Sequence, residues 1–145
     1  MLHVSIIVVN YNGDEDTIAC LESLQKLSAP NYKYSVIVVD NGSQIPLKLP
    51  KRLNTETIQL IRSESNLGFT GGNNMGIYYA TEHFNSDYIL LLNNDTTVDD
   101  QFLKQLVKQA QADDRIGIAC SKIYFSKGKE YHKQSYTRQE LGSVL

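Results

Sequence analysis

The sequence predicts an α/β fold, a three-layer α/β/α sandwich with a mostly parallel sheet. Three observations carry that expectation. Short β-branched runs alternate with segments whose apolar residues recur at helical spacing. The first runs are apolar almost without interruption, as strands covered on both faces must be. Three of the runs end in polar, turn-forming sequences of Asn, Asp and Gly.

In chain order, residues 3–9 (HVSIIVV) form the first expected strand, broken by Asn10-Tyr11-Asn12-Gly13. Asp14 or Asp16 can cap a helix carrying Ile18, Leu21, Leu24 and Leu27, which Ala29-Pro30-Asn31 stops. Residues 34–39 form the second strand and end at Asp40-Asn41-Gly42-Ser43. Residues 44–55, with Pro46 and Pro50, read as loop or a short helical turn, and residues 57–61 as a weaker third strand. The glycine-rich segment 66–72 (NLGFTGG) leads into a helix from Asn73 to about His83. Residues 87–92 form a fourth strand ending at Asn93-Asn94-Asp95. Val98, Phe102, Leu103, Leu106 and Val107 give a helix face with Asp99 and Asp100 in the first turn. Residues 116–120 are a fifth strand candidate, continuing through Ile123-Tyr124-Phe125. Beyond Phe125 the pattern fails. The expected division is therefore a folded part at 1–125 and a basic, polar, poorly ordered tail at 126–145.

The chain has 145 residues and 41% hydrophobic content, enough for one domain with a substantial core. A net charge of -2 argues against a nucleic-acid binder. From residue 122 onward five Lys/Arg face two acids, a local +3 that leaves -5 for residues 1–121. The basic end suits either a solvated tail or contact with anionic phospholipid. Cys20 and Cys120, both in apolar company, read as buried thiols in a reducing compartment. No basic n-region precedes the short apolar run at the start, which points to a cytosolic chain.

Ligands of an open parallel sheet bind at the carboxyl ends of its strands. Three polar segments collect there, and the glycine-rich segment joins them by opening a helix. Asp95 at a strand end offers a hard oxygen ligand for Mg²⁺ or Mn²⁺. Standing alone, it serves equally well as a cap for the following turn. The glycine-rich segment lacks both the Walker and the dinucleotide spacing. It offers close backbone approach at Gly68, Gly71 and Gly72, amide groups on Asn73 and Asn74, and helix N–H groups for an anion. Tyr11 can stack on a nucleobase, and Asp40 can accept an imide N–H. Each of these has a plain structural alternative, a packed ring or an Asx-turn. None of His3, His83 and His132 has a partner at ligand spacing.

Taken together, VSIIVVNYNG (4–13), VVDNGS (38–43), NLGFTGGNNMGI (66–77) and LLNND (91–95) resemble the family 2 glycosyltransferases of the GT-A fold, in particular the rhamnosyltransferase-like branch. The resemblance implies inverting transfer of a sugar, rhamnose by preference, from a dTDP- or UDP-linked donor. The acceptor would be a glycan or lipid-linked hydroxyl in polysaccharide or cell-envelope synthesis. It implies a donor site of Asn10, Tyr11, Asn12, Asp40, Gly68, Gly72, Asn73, Asn74, Asn93 and Asn94. Asp95 would be the metal-side carboxylate for Mg²⁺ or Mn²⁺. Asn93 stands where the family's DxD motif has its first Asp, leaving one charge fewer for the cation. The family's general base comes from an acidic motif well downstream, in an acceptor half that residues 126–145 do not resemble. The resemblance therefore implies a truncated fold whose base lies beyond Leu145, or a non-catalytic nucleotide-sugar binding module. Peripheral membrane association and a homodimer formed through an open sheet edge complete the expectations.

Overall fold

The computed structural model describes residues 1–28 and 31–122. The elements are β1 (Leu2–Asn10), α1 (Asp14–Leu24), β2 (Tyr32–Asn41), a single 3₁₀ turn (Lys51–Leu53), β3 (Ile58–Ser63), α2 (Gly68–His83), β4 (Tyr88–Asn93) and α3 (Phe102–Ala110). The chain divides into two compact units, 1–103 and 104–145, with the boundary inside α3. The sheet belongs to the first unit. Its strand order is β3-β2-β1-β4 and every pairing is parallel.

Alternation along the strands sorts the two layers. Ile7, Ile37 and Val39 join Ala80 of α2 in one buried cluster. Tyr34 lies opposite Val4 in the register, and its hydroxyl donates to the Leu24 carbonyl of α1 at 3.1 Å. Val4, Ile6 and Val8 therefore face α1, whose Cys20, Leu21 and Leu24 are buried with them. Helices thus cover both faces of the two central strands, which explains their continuous apolar sequence. β4 differs. It is an edge strand among the described residues, and Ile89 and Leu91 stay partly open on the α2 side.

Several local expectations are corrected. Helix α2 begins at Gly68, not Asn73, so the glycine-rich segment is its first turn and a half rather than a loop before it. At Gly72 and Gly76 the helix lies hard against the sheet, with no room for a side chain. A Cβ at Gly72 would stand 2.8 Å from Val9 Cγ1, and one at Gly76 would overlap Ile7 Cγ2. Gly76→Val is expected to cost about 1–3 kcal/mol through overpacking, read as a lower urea midpoint. The exposed Asn74→Ala on the same helix is expected to stay within about 0.5 kcal/mol.

Neither Asp14 nor Asp16 caps α1. Both lie inside its first turn with Glu15, and Gly13 occupies the cap position without a side-chain bond. The Asn10 side chain supplies the missing acceptor, taking the Gly13 N–H at 3.2 Å. Asp99 and Asp100 precede α3 instead of forming its first turn, and Asp99 accepts the Gln101 N–H at 2.9 Å. Val98 also lies before α3, its N–H donating to Ser23 Oγ at 3.1 Å.

Residues 116–120 form no strand. Ile118 is 93% exposed, and Cys120 is exposed rather than buried. Gly117 interrupts the run, and β propensity does not make a strand where, among the described residues, no strand pairs with it. Cys20 is buried as expected. The continuation through 123–125 and the tail at 126–145 lie outside the described residues. Among the described residues no helix is long and apolar enough to cross a membrane.

Candidate donor site

β1, β2 and β3 wind in one direction, and β4 then pairs with the other side of β1. The strand order thus reverses between β1 and β4, and ligands of such sheets bind in the crevice at the carboxyl ends beside that reversal. A cleft of about 370 Å³ lies there. Val9 and Tyr11 line it from the end of β1 and the turn after it, Asn41 from β2, Asn66, Gly68, Phe69 and Asn73 from the approach to α2 and its start, and Leu92 through Asp95 from the end of β4 and the turn after it.

Buried amides and hydroxyls brace this edge. Asn10 Nδ2 donates to Ser43 Oγ and to Asp14 Oδ1, each at 3.2 Å. Asn12, at φ 53°, donates its N–H to Ser43 Oγ at 2.9 Å and accepts the Gln44 N–H at 2.8 Å. Asn is among the few side chains that tolerate this left-handed backbone. Thr17 Oγ1 accepts from Asn94 Nδ2 at 3.0 Å, and its hydroxyl lies 2.9 Å from both Asn10 Oδ1 and the Gly13 carbonyl. Through these bonds the ends of β1, β2 and β4 hold one another in place.

Asn41 does the same for the start of α2. Its Nδ2 donates to Asn66 Oδ1 and to the Gly68 carbonyl, both at 3.0 Å, while Oδ1 accepts the Leu67 N–H at 3.0 Å. Asn66 Oδ1 also accepts the Gly68 N–H at 2.8 Å, and Asn73 Nδ2 donates to the Phe69 carbonyl at 2.9 Å. Gly42 makes this approach possible. At φ 75° it sits so close to the Ser65 backbone that a Cβ would overlap it.

Asp40 is only 1% exposed. Its Oδ1 accepts the Ser43 N–H at 3.3 Å, its Oδ2 the Leu47 N–H at 3.0 Å, and Arg62 Nη1 pairs with Oδ2. Arg62 Nη2 donates to the Ser43 carbonyl at 2.8 Å. Burial by itself would raise this carboxyl's pKa. The Ser43 hydroxyl, the Leu47 and Ser43 N–H groups and Arg62 outweigh it, so the carboxyl lies below its ordinary value.

Asp95 is the opposite case. It is exposed, lines the cleft, and forms neither an ion pair nor a hydrogen bond among the described residues. No group of three or more His, Cys, Asp or Glu side chains there could enclose a metal. One free carboxylate beside the amides of Asn93 and Asn94 still fits a hard cation that completes its shell with water and phosphate oxygens. Cys20 lies behind this corner and its thiol donates to the Asn93 carbonyl at 3.8 Å. Burial, and then the Asp95 charge, push that thiol up to about 12, which leaves it an inert protonated group.

Residues 5–143 match the family described as Glycosyl transferase family 2. The chain belongs to that family. It is 32% identical over 103 residues to the low-salt glycan biosynthesis hexosyltransferase Agl10 of Haloferax volcanii, covering 71% of this chain and 31% of that protein. It is likewise 32% identical over 110 residues to the amylovoran biosynthesis glycosyltransferase AmsB of Erwinia amylovora, covering 72% and 33%. The chain thus spans about a third of the length of these curated relatives. Among solved structures, S. aureus TarS superposes with a TM-score of 0.60 at 23% identity, over 75% of this chain and 19% of that one. Residues 1–349 of TarS in complex with UDP-GlcNAc give 0.59 at 23% identity, over 75% and 31%. These likenesses show the fold, the GT-A type of α/β sandwich.

Of the residues expected at a family 2 donor site, the cleft gathers Tyr11, Gly68, Asn73, Asn93, Asn94 and Asp95. Asn10 and Asn12 stand behind it as braces. Asp40 is buried with both oxygens engaged, Gly72 faces Val9 and the sheet, and Asn74 is exposed outside the cleft. Sequence reasoning missed Val9, Asn41, Asn66 and Leu92 as cleft residues, and Ser43 and Arg62 as bracing ones. Asn41 and Ser43 lay inside the 38–43 motif, and Asn66 and Phe69 inside the glycine-rich segment. Nothing in the sequence marked Arg62.

Proposed function

We propose that this chain forms the donor side of a glycosyltransferase, binding a nucleotide-diphosphate sugar with a divalent cation at Asp95. The observation that carries the reading is one cleft at the β1/β4 switch point combining a free carboxylate, the opening turn of a glycine-rich helix and a half-exposed Tyr11. Tyr11 offers its ring to the base, and the first N–H groups of α2 suit diphosphate oxygens. Asn73, Asn93 and Asn94 supply amides along the same path. Asn10, Asn12 and Asp40 act from behind, holding the strand ends in register. A divalent ion, Mg²⁺ or Mn²⁺, would neutralise charge on the departing diphosphate. Family membership and the TarS complex with UDP-GlcNAc support a nucleotide-sugar ligand.

The relatives' roles in glycan and amylovoran biosynthesis support a place in glycan or polysaccharide synthesis, and a glycan or lipid-linked acceptor in cell-envelope synthesis is part of the proposal. Inversion, a rhamnosyl donor, a cytoplasmic setting at the inner membrane face and a homodimer belong to the same proposal. Inverting transfer needs a carboxylate base for the acceptor hydroxyl. Asp95 is the one acid lining the cleft among the described residues, and it is assigned to the metal. That observation favours a second reading, a nucleotide-sugar binding module without transfer activity of its own.

Calorimetric titration with UDP and dTDP, with and without Mn²⁺, tests the donor site. Binding that requires the metal is expected. If neither nucleotide binds with Mn²⁺ present, the donor assignment is wrong. Assays of donor hydrolysis and transfer then separate enzyme from module.

A further inference from the structure

Phe69 is 66% exposed, in the opening turn of α2, and it lines the same cleft as Tyr11. A phenyl ring that open leaves in water the apolar surface that a core position would bury. Neither ring touches another aromatic among the described residues. The backbone around Phe69 is nevertheless fixed from both sides. Asn41 and Asn66 bind the carbonyl and N–H of Gly68, and Asn73 binds the Phe69 carbonyl itself. An apolar ring on a braced backbone, at the wall of a cleft rich in amides, suits a flat ligand group.

We propose that Phe69 is a second stacking face for the nucleobase, acting with Tyr11, and so a residue that sets affinity for the base rather than for the diphosphate. The proposal rests on the nucleotide-sugar reading above. Stacking tolerates any base, because every base has a π-face, so Phe69 supplies strength of binding and leaves base selection to polar groups.

The test titrates the full chain with UDP and with inorganic pyrophosphate, both with Mg²⁺, for wild type, Phe69→Ala and Phe69→Trp. Phe69→Ala is expected to weaken UDP about tenfold or more while pyrophosphate binding stays unchanged. Phe69→Trp is expected to retain UDP binding, with its fluorescence quenched on titration; the native chain has no Trp to interfere. Unchanged UDP affinity in Phe69→Ala overturns the proposal. So does an equal loss for UDP and pyrophosphate, which would mean that the ring acts by shaping the phosphate turn. If wild type binds neither ligand, the nucleotide reading fails and the stacking role falls with it. Thermal melts of each variant separate lost binding from lost folding.

Discussion

Asp95→Ala is expected to abolish the metal-dependent part of UDP binding, weakening it roughly 100-fold in the presence of Mn²⁺. Loss of a residue that merely supports a metal ligand typically costs 10- to 100-fold, and a sole protein carboxylate should cost at least as much. The prediction is sharp because the site has so little redundancy. Asn93 stands in place of a second acid, and no cluster of three ligating side chains lies among the described residues. Asp95→Asn should fall between wild type and alanine, since it keeps an oxygen ligand but loses the charge. Stability should hardly move, within about 0.5 kcal/mol, because the side chain is exposed and engages no partner. Isothermal titration with and without Mn²⁺, paired with urea unfolding, reads both effects.

Asp40→Ala is expected to do the reverse, acting first on the fold. It removes the acceptor of the Ser43 and Leu47 N–H groups and the anion paired with Arg62. Arg62 is 38% exposed, so solvent tempers its loss, and the two buried N–H groups carry most of the penalty. A cost of about 3–5 kcal/mol is expected, a large fraction of a typical domain's stability. The effect depends on pH with a definite sign. The folded carboxyl lies below its ordinary 3.8, so its contribution is fully present above that value and lost as pH falls through the lower folded one. The stability gap between wild type and Asp40→Asn should therefore be constant near neutrality and close in acid. Urea midpoints from pH 7 down to pH 2 measure it. The lowered pKa of Asp113 belongs to an exposed pair with Arg115 and should add little to that slope.

The central strands were legible because each lies between two helix layers, so short β-branched apolar runs fill both faces. The cleft's position was legible for a related reason, since acids and amides recur where those strands end. What could not be read depended on contacts distant in sequence. The glycine-rich segment looks like a loop until Val9 is known to lie against Gly72 and Ile7 against Gly76, where the absence of a side chain is what lets the helix pack. Asp40 reads as an available carboxylate until Leu47 and Arg62 are seen to occupy its oxygens. Phe69 reads as an ordinary apolar residue, and only its exposure at the cleft singles it out. Residues 116–120 had the composition of a strand, and among the described residues no strand pairs with them.

Amide NMR with substoichiometric Mn²⁺, recorded with and without UDP, tests the donor site most directly, because paramagnetic broadening marks whatever lies close to the ion. With UDP present, broadening is expected at Asn93 through Thr96, at Tyr11 and across Gly68 to Gly71, and it should vanish in Asp95→Ala. Broadening centred on other acids, or an unchanged pattern in Asp95→Ala, would contradict a donor site at the β1/β4 crevice.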